Sequence, residues 1–522
     1  MLGLGKNPNE VWGRVVITLN DFGGIVHVDF GLSSSFEAGF ARGVIRKVTA
    51  VKMENFRFTP QYKRSRGKWD GCINLFKHDS FPAGMKGRVT YALKSNDIPY
   101  KVIRRWKSPF QEHFDLSLAG IELREYQRQD IITAIRERRM TIKIATGGGK
   151  TEIACGIIKN VLPDVKVLIV VGKLSLLTQM YDRIKERIPN VSIGKYYQDE
   201  KDIDSNVVVS TIQSLYPKLN DDEVKKWLAS VRVFIGDEIH SLPSKTWTAV
   251  AAAVHAPCRY GFSATPNQDG FGGTMLKAYI GPIKILRSIA ELSDAGYLYT
   301  PRVVFLPFVH GNGHCVIDYK KSYKMAIADN DERNILIVNS IKKLCGKGMK
   351  ILVFAWYNRS HCRSLENLLL DAGLRVKRVH GKSSIYERQK IISDLELGIL
   401  EVVVADSVWS EGVDLPFLDV VFNAGALKSA RRIIQIAGRV TRISEGKKLA
   451  VYVDIFDECN HSLFGITKFG GHLLPYKKKG HYLTWHSWER LSHCVEEGFK
   501  LSKRTEKLLR LERRRFIPSK TL

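Results

Sequence analysis

The chain has 522 residues, 44% of them hydrophobic, which is ordinary globular composition at a length that allows several cores. No apolar run is long enough to span a membrane and "MLGLGKNPNE" lacks the apolar stretch of a secretory signal, so a cytoplasmic protein is expected. Lys and Arg number 81 against 53 Asp and Glu, a net charge of +28 spread along the chain, which suits a long polyanion such as nucleic acid.

Residues 1–115 read as short strands and turns, an N-terminal accessory module. Within it, "MENFRFTPQYKRSRGKWDGCINLF" interleaves Phe56, Phe58, Tyr62 and Trp69 with Arg57, Lys63, Arg64, Arg66 and Lys68. Aromatics among cations suit base stacking and phosphate contact, which makes Lys63, Arg64, Arg66, Lys68 and Trp69 candidate DNA-binding residues. The alternative is an antiparallel sheet with aromatics in its core and lysines in solvent.

From Leu123 the pattern changes. Over residues 116–298, apolar runs such as "VKVLIVV", "NVVVS", "VRVFIGDE" and "RYGFSATP" alternate with helical stretches. Such runs predict a parallel sheet covered on both faces. A second series, "TPRVVFLPF", "KILVFAW", "EVVVADS", "LDVVFN" and "LAVYVD", fills residues 299–468. The fold class expected is α/β, two tandem domains with parallel sheets, preceded by a small β-rich domain. Residues 469–522 form a basic C-terminal extension ending in the helical pattern "KLLRLERRRFIPSK". The eight cysteines are scattered, without a C-x-x-C pair or zinc spacing, and read as incidental thiols.

"IKIATGGGKTEIA" joins a strand pattern to an amphipathic helix pattern through a glycine-rich loop. The chain at Ala145, Thr146, Gly147, Gly148 and Gly149 can turn its N–H groups inward as a nest for phosphate oxygens. Lys150 then reaches the β and γ phosphates, and the Thr151 hydroxyl can ligate Mg2+. "VFIGDEIHS" puts Asp237 and Glu238 at the end of an apolar strand, the edge where ligands meet an α/β sheet. Asp237 would hold the metal with Thr151, and Glu238 would orient the attacking water. "QIAGRVTR" places Arg439 and Arg442 on one helix face, two cations for the transition-state charge on a γ-phosphate.

In order along the chain, these segments resemble the motifs of superfamily 2 helicases. "REYQ" resembles the glutamine motif, "ATGGGKT" motif I, "VVGKLSLLTQ" motif Ia, "STIQSL" motif Ib, "DEIH" motif II and "SATP" motif III. "VFAWYNRSH" resembles motif IV, "ADSVWSEGVDLP" motif V and "QIAGRVTR" motif VI. The resemblance covers Leu123 to Asp454 and implies two RecA-like domains with ATP between them and nucleic acid across both. It implies that Gln127 reads adenine with Tyr126 stacked nearby. It also implies that Gly412 and Asp414 contact the nucleotide, that Gln435 supports Arg439 and Arg442, and that His240, Ser263 and Thr265 couple the ATP site to the nucleic-acid track. The "DEIH" variant and the basic N-terminal module resemble the phage UvsW-type branch-migration helicases. The expected function is an ATP-dependent, Mg2+-using DNA helicase that remodels branched DNA. An RNA helicase, a duplex translocase and a non-catalytic ATP-gated clamp stay open as alternatives.

Overall fold

The structure is a computed structural model. It describes residues 16–31, 34–266, 269–311, 323–355, 359–406, 409, 413, 415–426, 429–447, 449–458, 465–469, 472–476 and 482–508. The chain divides into two compact units: residues 1–144 with 149–286, and residues 145–148 with 287–522.

In the first unit, β1 (Ile17–Asp21), β2 (Ile25–Asp29), β3 (Ala50–Lys52), β4 (Cys72–Asn74), β5 (Ser80–Pro82) and β6 (Tyr100–Arg104) belong to the N-terminal module. Four of them make a sheet ordered β5-β2-β1-β6, and β3 pairs with β4. The helix Ser35–Thr49 starts where the Ser34 hydroxyl and the Glu37 carboxylate satisfy each other's backbone N–H groups. It buries Ala38, Ala41, Ile45 and Thr49, the stripe of a helix lying on a sheet.

The remaining strands of this unit are β7 (Arg139–Ile144), β8 (Val167–Val171), β9 (Ile193–Tyr197), β10 (Glu200–Lys201), β11 (Val207–Thr211), β12 (Val233–Asp237), β13 (Cys258–Ser263) and β14 (Ile283–Arg287). They form one sheet ordered β10-β9-β11-β8-β12-β13-β7-β14. "VLIVV", "VVVST" and "VFIGD" are buried at every position, because helices cover both faces of the parallel centre.

Packing is continuous across residues 115 and 116. Ile17, Phe81 and Met85 of the module share one hydrophobic core with Val254, Met275, Leu276 and Ala278 of the following domain. Backbones meet across the junction. A Cβ on Gly84 would lie 2.0 Å from the Lys277 carbonyl oxygen, and one on Gly23 would lie 2.4 Å from Pro257. Only glycine permits such approach.

The second unit has β15 (Arg302–Val309), β16 (Ile351–Phe354), β17 (Val376–Val379), β18 (Val402–Ala405), β19 (Val420–Asn423), β20 (Val451–Glu458), β21 (Gly465–Phe469), β22 (His472–Tyr476) and β23 (Lys500–Leu501). Seven make a parallel sheet ordered β17-β18-β16-β19-β20-β15-β23, and β21 and β22 form a separate antiparallel pair. Packing is continuous across residues 468 and 469 as well. β23 pairs with β15 in that sheet, and the helix Tyr482–Glu496 is fixed to β20 by buried charge. Arg490 Nε lies 3.1 Å from both Asp454 carboxylate oxygens, while Arg333 Nε donates to Asp457 at 2.7 Å. Burial pushes the Asp457 carboxyl up, but Arg333 and His310 outweigh it and hold the group well below the ordinary carboxylate range. The end of the basic tail, residues 509–522, lies outside the described residues.

Candidate active site

Three neighbouring strands bring three of the sequence segments to one sheet edge. In the order β12-β13-β7, Asp237 is level with Phe262, and Phe262 with Ile142. The glycine loop therefore leaves β7 at the same edge where β12 ends in Asp237 and β13 ends in Ser263. Gly147 and Gly149 hold φ of +83° and +78°, a left-handed backbone that glycine adopts without strain. The helix Lys150–Lys159 begins at once, with Lys150 and Thr151 in its first turn.

Glu238 is the centre of the cluster. Its own φ is +50°, a costly value for a non-glycine residue, at the turn where β12 passes into Ile239–Ser241. Lys150 Nζ lies 3.0 Å from Glu238 Oε1, and His240 Nδ1 lies 3.0 Å from Oε2. The Ser263 hydroxyl is 3.4 Å from that same Oε2 and 3.2 Å from His240 Nδ1, and it accepts the backbone N–H of Thr265 at 3.1 Å. Burial pushes the Glu238 carboxyl up, but Lys150 and then His240 pull it down further, so it is held ionised well below the ordinary range. The segments around Lys150, Asp237–His240 and Ser263–Thr265 are thus one hydrogen-bonded group.

Gln127 sits beside the loop. It is buried, its Oε1 accepts the backbone N–H of Arg124 at 2.9 Å, and its Nε2 occupies the place a Cβ on Gly149 would take, 2.1 Å away. Tyr126 accepts from Arg124 Nη1 at 3.2 Å. Next to them a concavity of about 490 Å³ is lined by Glu122, Leu123, Arg124, Glu125 and Arg128. Arg124 escaped the sequence reading, although it stands inside "REYQ".

Among the described residues no three His, Cys, Asp or Glu side chains gather as a metal cage. The donors present are the Thr151 hydroxyl in a helix first turn and the buried Asp237 carboxylate at a strand end. That sparse oxygen set fits Mg2+, which keeps several waters and takes phosphate oxygens as its other ligands.

In the second unit the helix Ala430–Ala437 and the turn Gly438–Val440 carry Gln435 and Arg439, both buried. Arg439 Nη1 donates to the Val413 carbonyl. Lys447, which no motif marked, binds three carbonyl oxygens: Val440 at 2.8 Å, Arg442 at 2.9 Å and Pro416 at 3.1 Å. Gly412 and Asp414 lie outside the described residues. In the N-terminal module Lys63, Arg64, Arg66 and Lys68 are exposed, whereas Trp69 is half-buried against Phe56.

The family described as "Type III restriction enzyme, res subunit" matches residues 120–268, and "Helicase conserved C-terminal domain" matches residues 335–444. The chain carries the motor of a superfamily 2 helicase. A DNA 3'-5' translocase of Sulfurisphaera tokodaii, XPB2, is 27% identical over 65% of this chain and 83% of its own length. The putative ATP-dependent helicase IRC3 of Saccharomyces cerevisiae is 25% identical over 64% of this chain, which spans about half, 51%, of that relative. The fold is shared with the DNA-bound Type ISP restriction-modification enzyme LlaBIII, at a TM-score of 0.53 and 17% identity, over 72% of this chain and 30% of that one. The crystal structure of T4 UvsW aligns over 93% of this chain and 98% of that one, with 21% identity and a TM-score of 0.42. No helix among the described residues of this helicase motor is long and apolar enough to cross a membrane.

Proposed function

We propose that this chain is an ATP-dependent DNA helicase that unwinds or branch-migrates branched DNA. The observation that carries the reading is the group at Glu238, where the phosphate-loop lysine, the acidic strand end and the serine of "SATP" meet on a chain with a basic module built into the same core.

In this reading the backbone from Ala145 to Gly149 cradles the phosphates, and Lys150 is shared between them and Glu238. Thr151 and Asp237 hold Mg2+, which when bound supplies charge against the phosphate oxygens. Glu238, kept ionised, accepts a proton from the attacking water. Tyr126 and Gln127 border the base, and Gly412 and Asp414 complete the nucleotide contacts. Arg439 and Arg442, steadied by Gln435, meet the charge that develops on the γ-phosphate. His240, Ser263 and Thr265 pass the state of Glu238 to the nucleic-acid track, because each is bonded to Glu238 directly or through one hydroxyl. Lys63, Arg64, Arg66 and Lys68 add phosphate contacts from the module.

The test is ATPase stimulation by matched single-stranded DNA, duplex DNA, four-way junctions and RNA. Branched DNA should stimulate most, and RNA stimulating as well as DNA would sink the DNA assignment. The relative named as a DNA translocase favours a second reading, movement along duplex without strand separation. Junction-stimulated turnover with no strand product would establish that reading instead.

A further inference from the structure

Residues 53–71 leave the N-terminal module as one loop between β3 and β4, whose antiparallel pairing sets its neck. Met53 N–H donates to the Gly71 carbonyl at 2.8 Å and closes that neck. Inside the loop the Phe56 ring meets Tyr62 edge-on at 5.5 Å and Trp69 at 5.9 Å. Trp69 Nε1 donates to the Cys72 carbonyl at 3.0 Å, and Thr59 Oγ1 accepts Tyr62 N–H at the start of the short helix Pro60–Arg64. Gly71, at φ +84°, lets the chain pass so close to Phe56 that a Cβ there would lie 2.5 Å from the ring. Phe56, Tyr62 and Trp69 therefore hold one another as a small internal prop.

Phe58 is left out of that prop. Two residues from Phe56 and on the same 3-10 turn, it is 83% exposed. Arg57, Lys63, Arg64, Arg66 and Lys68 stand exposed in the same loop. Its two acids are turned to the neck: Asp70 Oδ1 accepts the Cys72 N–H at 2.9 Å, and the Glu54 carboxylate lies over Gly270, where a Cβ would come within 1.9 Å of Oε1. Gly270 opens the helix that follows the "SATP" segment, so the neck is seated on the motor's first domain. The loop is thus stiffened inside, anchored at its base, cationic outside, and topped by an aromatic ring in water.

We propose that this loop is a DNA pin: Phe58 stacks on an unpaired base at a boundary between single and double strand, while the surrounding cations take the flanking phosphates. The proposal rests on the DNA-helicase reading above. An aromatic ring fits any base because every base has a π face, and the cations supply grip without sequence preference. It also reassigns Trp69, which the sequence alone marks as the stacking residue, to the scaffold beneath Phe58.

The experiment uses the full chain without ATP and two forked DNAs, carrying 2-aminopurine either at the first unpaired position or in mid-duplex. The native protein should quench the probe at the fork position alone. Phe58→Ala should lose that quench and bind the fork about 5- to 150-fold more weakly. Phe58→Trp should retain both. Phe36→Ala, removing a ring that is 78% exposed on the helix Ser35–Thr49, should match the native protein. Trp69→Ala should lower the melting temperature as well as binding, the mark of a scaffold residue. A Phe58→Ala protein that quenches and binds like the native one, or that loses no more than Phe36→Ala, would overturn the pin. A native protein that engages RNA forks in preference to DNA forks would instead bring down the DNA reading and leave the stacking question to the same variants on RNA.

Discussion

Lys150 Nζ stands 3.0 Å from Glu238 Oε1, so the lysine of the phosphate loop is also the counter-charge of the acid beside it. Lys150→Ala removes the cation proposed for the β and γ phosphates and leaves Glu238 with His240 as its remaining partner among the groups that hold it ionised. ATP turnover should fall by about 100-fold or more, the cost of losing one charge-stabilising group at a phosphoryl site. DNA binding should change little, since grip is shared among many cations. ATPase and fork binding on one sample check this, and near-native turnover would remove the loop from the chemistry.

Glu238→Gln keeps the side chain's shape and leaves an amide oxygen facing His240 and Ser263. The variant should bind ATP and hydrolyse it about 100- to 10000-fold more slowly, the range expected for loss of a positioned general base. Single-turnover hydrolysis beside equilibrium nucleotide binding separates the two. Loss of binding with the fold intact would make Glu238 a structural residue.

Phe81 lies in β5 of the module, 1% exposed, in the core shared with Met275, Leu276 and Ala278. Phe81→Ala should therefore destabilise the whole first unit by about 3–5 kcal/mol, not the module alone. Hydrogen exchange should accelerate in β12 as well as in β1 and β2. Exchange confined to residues 16–104 would mean that the two sheets unfold independently.

That shared core also marks where sequence reading stopped. The motor was legible because "VLIVV", "VVVST" and "VFIGD" are buried on both faces, and such strands are written as unbroken apolar runs. The group at Glu238 was legible for a related reason: each member ends a strand of that sheet or sits in the turn or helix that follows one. The packing of the module on the following domain was not, since Gly23 and Gly84 allow backbone contact with Pro257 and Lys277, which lie far along the chain and which no local pattern marks. Nor was the place of the helix Tyr482–Glu496 beside β20, since the partners of Arg490, Asp454 and Asp457, lie far back in the chain. Phe58 and Trp69 have the same local context in the sequence, and only the fold separates prop from tip.

His361, in the segment resembling motif IV, is fully buried with Nε2 3.2 Å from Asn334 Oδ1. Burial, aided by the nearby Arg333, lowers its pKa from 6.5 to about 3. Above pH 6.5 the folded and unfolded chains both hold it neutral. Below that, the unfolded chain takes up a proton that the folded one refuses, so stability falls as pH drops from 6.5 toward 3. From this residue alone the loss at pH 5 should be about 2 kcal/mol relative to pH 7. Denaturant unfolding of the native protein and of His361→Gln at both pH values checks it, and the variant should lose that much less stability on acidification.

Lys447 carries the last prediction, because its ammonium spends its three N–H donors on main-chain oxygens of Pro416, Val440 and Arg442. Two of those carbonyls belong to the segment bearing Arg439 and Arg442, and the third, from Pro416, ends the one resembling motif V. Tyr299 completes the fixture, donating its hydroxyl to the Lys447 carbonyl at 2.7 Å. Burial lowers the pKa from 10.5 to about 8, Asp419 acting to raise it and Arg442 to lower it. Below pH 8 the charged group serves all three carbonyls; above it the neutral amine has two N–H donors for three acceptors. Stability and activity should then move in opposite directions. Between pH 8 and 10.5 the folded chain gives up a proton that the unfolded chain keeps, so this group's contribution to stability rises with pH. ATP turnover should fall over the same range with a midpoint near 8, as the carbonyl that loses its donor frees the backbone around Arg442. Lys447→Met should bind DNA normally, turn over ATP slowly at every pH, and show neither the alkaline limb nor the rise in stability. An alkaline limb that persists unchanged in Lys447→Met would assign the titration to another group and leave Lys447 without a part in positioning Arg442.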